Sequence, residues 1–212
     1  MLFRSEAFAA EVRSRGAALP FTMQSRVNLM TLSAVEALAE AACEEVWMGV
    51  ESGAQHVLDG MDKGTTLDEV REGTRCLKQH GIRACWFVQL GYPGEDWSAI
   101  LQTRDLIRDE QPDDIGVSVA YPLPGTPFYD RVRMDLRGKA NWSDSDDLAM
   151  MFQGAYSTDF YREIRDLLHE EVNARAVDGP TLREFDARWS ELGRREIVHR
   201  STGHLPMAQA AG

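Results

Sequence analysis

Short apolar segments begin near residues 21, 46, 82 and 115, and each is followed by a stretch with helical periodicity. A strand–helix repeat of about 25–37 residues leaves few topologies open. The crossover has the length of one helix, so successive strands lie parallel and the connection turns right-handed. Val46-Trp47-Met48-Gly49-Val50 is apolar nearly throughout, as expected of a parallel strand covered on both faces. Four such units make half of an eight-stranded barrel or most of an open six-stranded one. The expected class is therefore α/β, a partial TIM-like (β/α) barrel of about four parallel βα units over residues 1–135.

Local signals set the boundaries. Ser5 to Arg15 reads as an amphipathic helix stopped by Gly16, and Phe21 to Ser25 as a short strand leading to Arg26. Ser33-Ala34-Val35-Glu36 has the form of a capping box opening a helix to about Cys43. Thr66-Leu67-Asp68-Glu69 is a second box, for a helix to His80 with Leu67, Val70, Thr74, Leu77 and Lys78 on its inner stripe. Ile82 to Leu90 is the next strand, Asp96 to Glu110 a helix with Trp97, Ile100, Leu101 and Ile107 at core spacing, and Ile115 to Ala120 a strand. Beyond Pro127 the rhythm stops. A helical extension is expected over 136–200: a polar loop from Asn141 to Asp147, a helix from Thr158 to Ala176, a break at Gly179-Pro180, and a helix capped by Thr181 running to about His199. Residues 201–212 read as a frayed tail.

A net charge of −11 disfavours nucleic-acid and anionic-membrane partners, which need clustered Lys and Arg. No apolar run reaches the roughly 18–20 residues of a spanning helix. Met1 to Glu6 lacks the pattern of a secretory signal, and a reduced cytoplasmic protein is the expectation. Cys43 is placed at a helix end, Cys76 within a helix and Cys85 in a strand, each as a small, partly buried hydrophobe. No metal ligand set is legible among the cysteines and the five histidines.

In parallel α/β folds ligands bind at the carboxyl ends of the strands. The unusual residues of this chain cluster there: Arg26, then Glu51-Ser52-Gly53, then Gly91-Tyr92-Pro93-Gly94-Glu95, then Tyr121 to Pro127. Glu51 ends an apolar strand, so its carboxylate needs a partner. Two readings stand open: an acceptor for ligand hydroxyls such as a ribose diol, or a structural ion pair with Arg26. The Gly91–Glu95 turn offers backbone groups for a planar base, or is a plain turn whose Glu95 favours the next helix N-terminus. In Thr126-Pro127, threonine suits an N-cap and proline the first helical position. Trp86, Tyr92, Trp97 and Tyr121 are expected in core or lid positions.

Together these loops resemble the radical S-adenosylmethionine superfamily, in the branch where a cobalamin-binding domain precedes the barrel. The matching phrases are Gly49-Val50-Glu51-Ser52-Gly53, Val57-Leu58-Asp59-Gly60-Met61-Asp62-Lys63-Gly64, Leu77-Lys78-Gln79-His80-Gly81-Ile82, Leu90-Gly91-Tyr92-Pro93-Gly94-Glu95 and Pro122-Leu123-Pro124-Gly125-Thr126-Pro127. They span residues 21–130, with Asp144 to Asp147 matching more loosely. The resemblance implies a partial (β/α)6 barrel, with S-adenosylmethionine cleaved at a [4Fe-4S] cluster to give a 5′-deoxyadenosyl radical. It places Arg26 after the family's third strand, pairing with the methionine carboxylate through its guanidinium fork. Glu51 and Ser52 would hold the ribose or methionine portion on the fourth strand. Gln89, Leu90 and Gly91 would flank adenine on the fifth, and Tyr121 and Pro122 would close the base pocket from the sixth.

The family's cluster sits on a Cys-x3-Cys-x2-Cys loop after the first strand, and the cysteines here do not have that spacing. The chain is expected to start just before the third strand. The cluster loop, the glycine-rich loop after the second strand and any cobalamin site are then expected in a full-length or partner chain carrying the amino-terminal half. On this reading the chain supplies part of the S-adenosylmethionine and small-molecule substrate site, is inactive alone, and exposes an unpaired barrel edge. No residue of its own is assigned a catalytic role. The alternatives are a noncatalytic binding or assembly module on a degenerate barrel, and an unrelated α/β enzyme using a Glu51/Glu95 pair.

Overall fold

Four strands, β1 (Phe21–Ser25), β2 (Cys43–Glu51), β3 (Arg83–Leu90) and β4 (Asp114–Val119), lie side by side in chain order, every neighbouring pair parallel. The computed structural model describes residues 5–136, 148–176 and 181–200. The expected loop at 141–147, the break at Gly179-Pro180 and the tail at 201–212 fall outside these residues. Around the sheet are α1 (Ser5–Arg15), α2 (Leu32–Glu40), α3 (Gln55–Gly60), α4 (Leu67–Gln79), α5 (Trp97–Glu110), α6 (Pro127–Val132), α7 (Thr158–Asn173) and α8 (Leu182–His199). The four parallel βα units and the helical carboxyl-terminal part agree with the sequence.

Capping chemistry explains most boundaries. Thr66 with Glu69 and Thr181 with Glu184 form complete capping boxes, and Thr126 caps α6 with Pro127 in its first turn. The box expected at Ser33–Glu36 is not made: Thr31 is the N-cap of α2, its hydroxyl accepting from the Ala34 N–H. That helix also ends at Glu40, so Cys43 opens β2 instead of closing a helix. α3 arises in the Glu51–Thr66 connection, where no helix was expected. On α4, Val70, Thr74 and Leu77 are buried as expected, but Lys78 is exposed and donates to the carbonyls of Glu110 and Gln111.

The two faces of the sheet differ. Val46, Met48 and Val50 of β2, with Trp86, Val88 and Leu90 of β3, are at most 1% exposed and pack with Leu38, Val70, Leu77 and Ile100 into one core. On the opposite face the register aligns Gly49, Phe87 and Gly116, and places Trp47 beside Cys85. Trp47 and Phe87 stack with centroids 4.9 Å apart, stay half-buried and lie outside the apolar core. The expectation of cover on both faces of β2 therefore holds on the helix side only. This second face is the one a closed barrel turns inward.

α7 and α8 join the main core through Phe160, Ile164, Leu168, Phe185 and Trp189. Polar locks fix them to α5. Arg108 bridges Glu171 and Asp186, and the Trp189 indole N–H donates to Glu171 Oε2 at 2.9 Å.

Candidate functional site

β2 ends in a backbone device. Its register with β3 slips between Gly49 and Glu51, and Glu51 has φ of +66°. The Ser52 N–H donates to the Val50 carbonyl at 2.9 Å, closing a three-residue γ-turn around Glu51. A side-chain-bearing residue held in the left-handed region costs on the order of 1–3 kcal/mol, so the surroundings must hold it there. Two groups do so. Ser52 is fully buried, its hydroxyl accepting from the Ala54 N–H at 3.2 Å and lying 3.4 Å from the Thr103 hydroxyl of α5. The Glu51 carboxylate folds back over Gly49, where a Cβ would lie 2.8 Å from Glu51 Oε1. A larger residue at 49 would make the Glu51 carboxylate shift.

The partner of Glu51 is Lys63, with Nζ 2.6 Å from Oε1 and the two side chains 26% and 15% exposed. The alternative ion pair with Arg26 is not the one formed. Arg26 instead donates from Nη2 to the Lys63 carbonyl at 2.6 Å. Arg26 and Glu51, which follow and end neighbouring strands, thus meet through one residue of the loop after α3. A shallow cavity of about 430 Å³ is lined by Arg26, Trp47, Gly49 and Phe87 among others; the Glu51–Lys63 pair is not part of that lining and adjoins it beside Gly49. The rim carries two cations and one carboxylate at the edge of a half-buried aromatic floor. That chemistry suits a zwitterionic or hydroxyl-bearing small molecule.

The β3 loop is built differently. Gln89 is half-buried beside Ser118, on the face away from the helices. Leu90 is fully buried, and its carbonyl accepts from the Ala120 N–H at 2.8 Å. Gly91 and Gly94 adopt positive φ, as the turn requires. Glu95 does not serve the next helix: Asp96 caps α5 by accepting from the Ala99 N–H at 2.9 Å. Glu95 turns inward, fully buried, with Oε2 accepting from the Gly91 N–H at 2.6 Å. Burial pushes its carboxyl up to about 8, against the lowering effect of the Gly91 bond. Among the described residues its Oε1 and the buried Tyr161 hydroxyl have no hydrogen-bond partner. With Glu95 inside and Glu51 at the rim, the two carboxylates are not presented together for acid–base work.

Tyr121 is half-buried against the core and Pro122 is buried. Tyr92 donates its hydroxyl to the Gly60 carbonyl at 2.6 Å and packs on Phe128, tying the β3 loop to α3 and α6. Trp86 and Trp97 are core residues, as expected. Lys63 and the γ-turn went unrecognised in the sequence. A lysine twelve residues after a strand-end glutamate carries no spacing rule, and positive φ at Glu51 has no residue signature.

The three cysteines are free and buried: Cys43 opens β2, Cys76 lies in α4 and Cys85 in the middle of β3. Burial raises all three thiols, Cys85 up to about 12. Among the described residues no three His, Cys, Asp or Glu side chains are placed to share a metal ion. Among the same residues no helix is long and apolar enough to cross a membrane.

Comparison with known proteins bears on the fold and the family. The family model described as the radical SAM superfamily matches residues 3–107, from α1 into α5. A putative methylthiotransferase of Methanocaldococcus jannaschii is 32% identical over 107 residues, 50% of this chain and 24% of that protein. An uncharacterized methyltransferase of Pyrococcus horikoshii is 25% identical over 132 residues, 62% of this chain and 29% of that protein. The chain thus spans about a quarter of the length of these curated relatives. Among solved structures, the radical S-adenosylmethionine methyltransferase TsrM of Kitasatospora setae superimposes with a TM-score of 0.54 at 19% identity, over 60% of this chain and 26% of that one. The archaeal Elp3 of Methanocaldococcus infernus gives 0.56 at 14% identity, over 70% and 32%. Those two likenesses establish the fold, a parallel α/β arrangement of the barrel type. Fold and family match agree: this chain belongs to the radical SAM superfamily.

Proposed function

We propose that these residues supply the S-adenosylmethionine- and substrate-facing side of a radical enzyme that transfers a methyl or methylthio group. The iron–sulfur cluster would be ligated by the rest of a full-length protein or by a partner chain. The observation that carries the reading is the Glu51–Lys63–Arg26 network at the carboxyl ends of β1 and β2. The transfer class follows from relatives named as methyl- and methylthiotransferases. Arg26 would take the methionine carboxylate, Glu51 the ribose hydroxyls, and the backbone of Gln89 to Gly91, with Tyr121 and Pro122, the adenine edge. Ser52, whose hydroxyl already bonds within the fold, would hold the loop and not the ligand.

The cysteines argue against a cluster on this chain. Fe–S ligands are thiolates converging on one centre, whereas these thiols lie in three separate elements, and burial raises each of them, disfavouring the thiolate. The cluster, when bound elsewhere in the assembly, would supply the electron that cleaves S-adenosylmethionine. A cobalamin-dependent branch is supported by the sequence phrases given above and is in line with the fold likeness to TsrM, whose solved structure holds cobalamin.

Calorimetry with S-adenosylhomocysteine tests the binding role: saturable binding is expected, weakened about tenfold in Glu51→Gln. No binding would favour a noncatalytic assembly module on the same fold. Anaerobic treatment with iron and sulfide tests the cluster assignment. A stoichiometric cluster on this chain alone, seen by its thiolate-to-iron absorbance, would overturn it.

A further inference from the structure

We propose that Lys63 is the positioning residue of the rim, setting at once where Glu51 and Arg26 present their charges. The inference rests on the reading of the rim as a ligand site. Lys63 engages three parts of the structure through three different groups. Its ammonium bonds Glu51 Oε1 at 2.6 Å, its carbonyl accepts from Arg26 Nη2 at 2.6 Å, and its N–H donates to the Leu58 carbonyl of α3 at 3.2 Å. The residues on either side, Asp62 and Gly64, have φ of +52° and +60°. This left-handed coiling lets one residue aim its carbonyl at β1 and its side chain at β2. The cavity left over Gly49 receives both partners, since a Cβ there would lie 2.8 Å from Glu51 Oε1 and 3.2 Å from Lys63 Nζ.

The physical need is clear. Arg26 is exposed and its side chain is long, so an unrestrained guanidinium would sample many rotamers. Glu51 is mostly buried at a strained backbone, where an unpaired carboxylate is expensive. One anchored lysine answers both, and Lys63 occupies one carboxylate oxygen while leaving the rest of the group to a ligand. A lysine that merely stabilised the loop would have no reason to reach Arg26 and Glu51 together.

The test pairs a binding cycle with a ligand-free readout. In calorimetry with S-adenosylhomocysteine, Lys63→Met is expected to weaken binding about tenfold, and Lys63→Arg to recover most of it. The double variant Lys63→Met/Glu51→Gln should lose little more than either single change, because the two residues act as one unit. Additive losses would overturn the proposal. Independently of any ligand, amide exchange at residues 51–54, which the Lys63 ammonium holds through Glu51, should speed up in Lys63→Met and not in Lys63→Arg. Unchanged exchange would also overturn it. If the unaltered protein binds no S-adenosylhomocysteine, the ligand reading fails, and the exchange measurements alone decide the role of Lys63.

Discussion

Glu95 is a carboxyl with almost no exposure, one hydrogen bond and one unpartnered oxygen. Burial raises it to about 8 from an ordinary value of 4.5, with the Asp96 carboxylate adding to the shift. A group whose folded pKa exceeds its unfolded one stabilises fully below the unfolded value and loses that contribution as pH rises through the folded value. The urea midpoint should therefore fall between about pH 4.5 and 8, and Glu95→Gln should flatten that part of the profile while keeping an acceptor for Gly91. A profile of the same slope in both proteins would show that Glu95 ionises without cost. Gly53 makes a second case: a Cβ there would sit 2.5 Å from Gln102 O and from Thr103 Cα, both backbone atoms of α5. Gly53→Ala is expected to destabilise by about 1–3 kcal/mol in urea unfolding, the ordinary cost of overpacking. The residue types of this site were legible, since Arg26, Glu51 and Gly91 stand out at strand ends in an otherwise apolar pattern. Their partners were not, because a salt bridge from Glu51 to Lys63 and a backbone acceptor for Arg26 depend on how a loop coils.

Elements whose ends carry side-chain chemistry could be read directly. Thr66 and Thr181 precede their glutamates by three residues and make the boxes that spacing implies. Ser33 has the same spacing to Glu36 and fails, because Thr31 takes the N-cap two residues earlier. α3 escaped notice for a related reason: it is six residues long and its N-cap, Ala54, makes no side-chain bond. α8 shows how an added helix is held. Besides burying Phe185 and Trp189, it depends on Glu171 of α7, whose carboxylate takes both Arg108 and the Trp189 indole N–H while itself 4% exposed. Glu171→Ala would leave a half-buried guanidinium without its main acceptor and an indole N–H without any. A loss of about 3–5 kcal/mol is expected from breaking a buried pair, with a smaller loss in Glu171→Gln. Urea unfolding measures it, and hydrogen exchange should show α8 opening before the strands. Equal losses in both variants would place the effect in packing and not in charge.

At the scale of the molecule, the sheet is a barrel wall seen from its inside. One face is sealed by helices; the other carries Trp47, Phe87 and Gln89 only half-buried, with glycines at 49 and 116 leaving the floor flat. Among the described residues β1 pairs with β2 alone and β4 with β3 alone, so both sheet edges carry unused backbone donors and acceptors. Open edges beside an apolar face template pairing with further strands. The four-unit rhythm makes the open edges legible in the sequence, because four parallel βα units do not close into a barrel. Studied as this chain, the protein should therefore associate: its weight-average sedimentation coefficient should rise with concentration. Thr22 and Gln24 are exposed on β1, so lysines there add charge to the edge without disturbing the core. Thr22→Lys/Gln24→Lys is expected to shift the association to about tenfold higher concentration, with the circular dichroism spectrum unchanged. Association that ignores these charges would place the contact elsewhere. One candidate is the outer face of α8, where Ile197 and Val198 are 78% and 82% exposed. Polar replacements at those two positions then distinguish a sheet edge that pairs with further strands from a helix that seeks a partner.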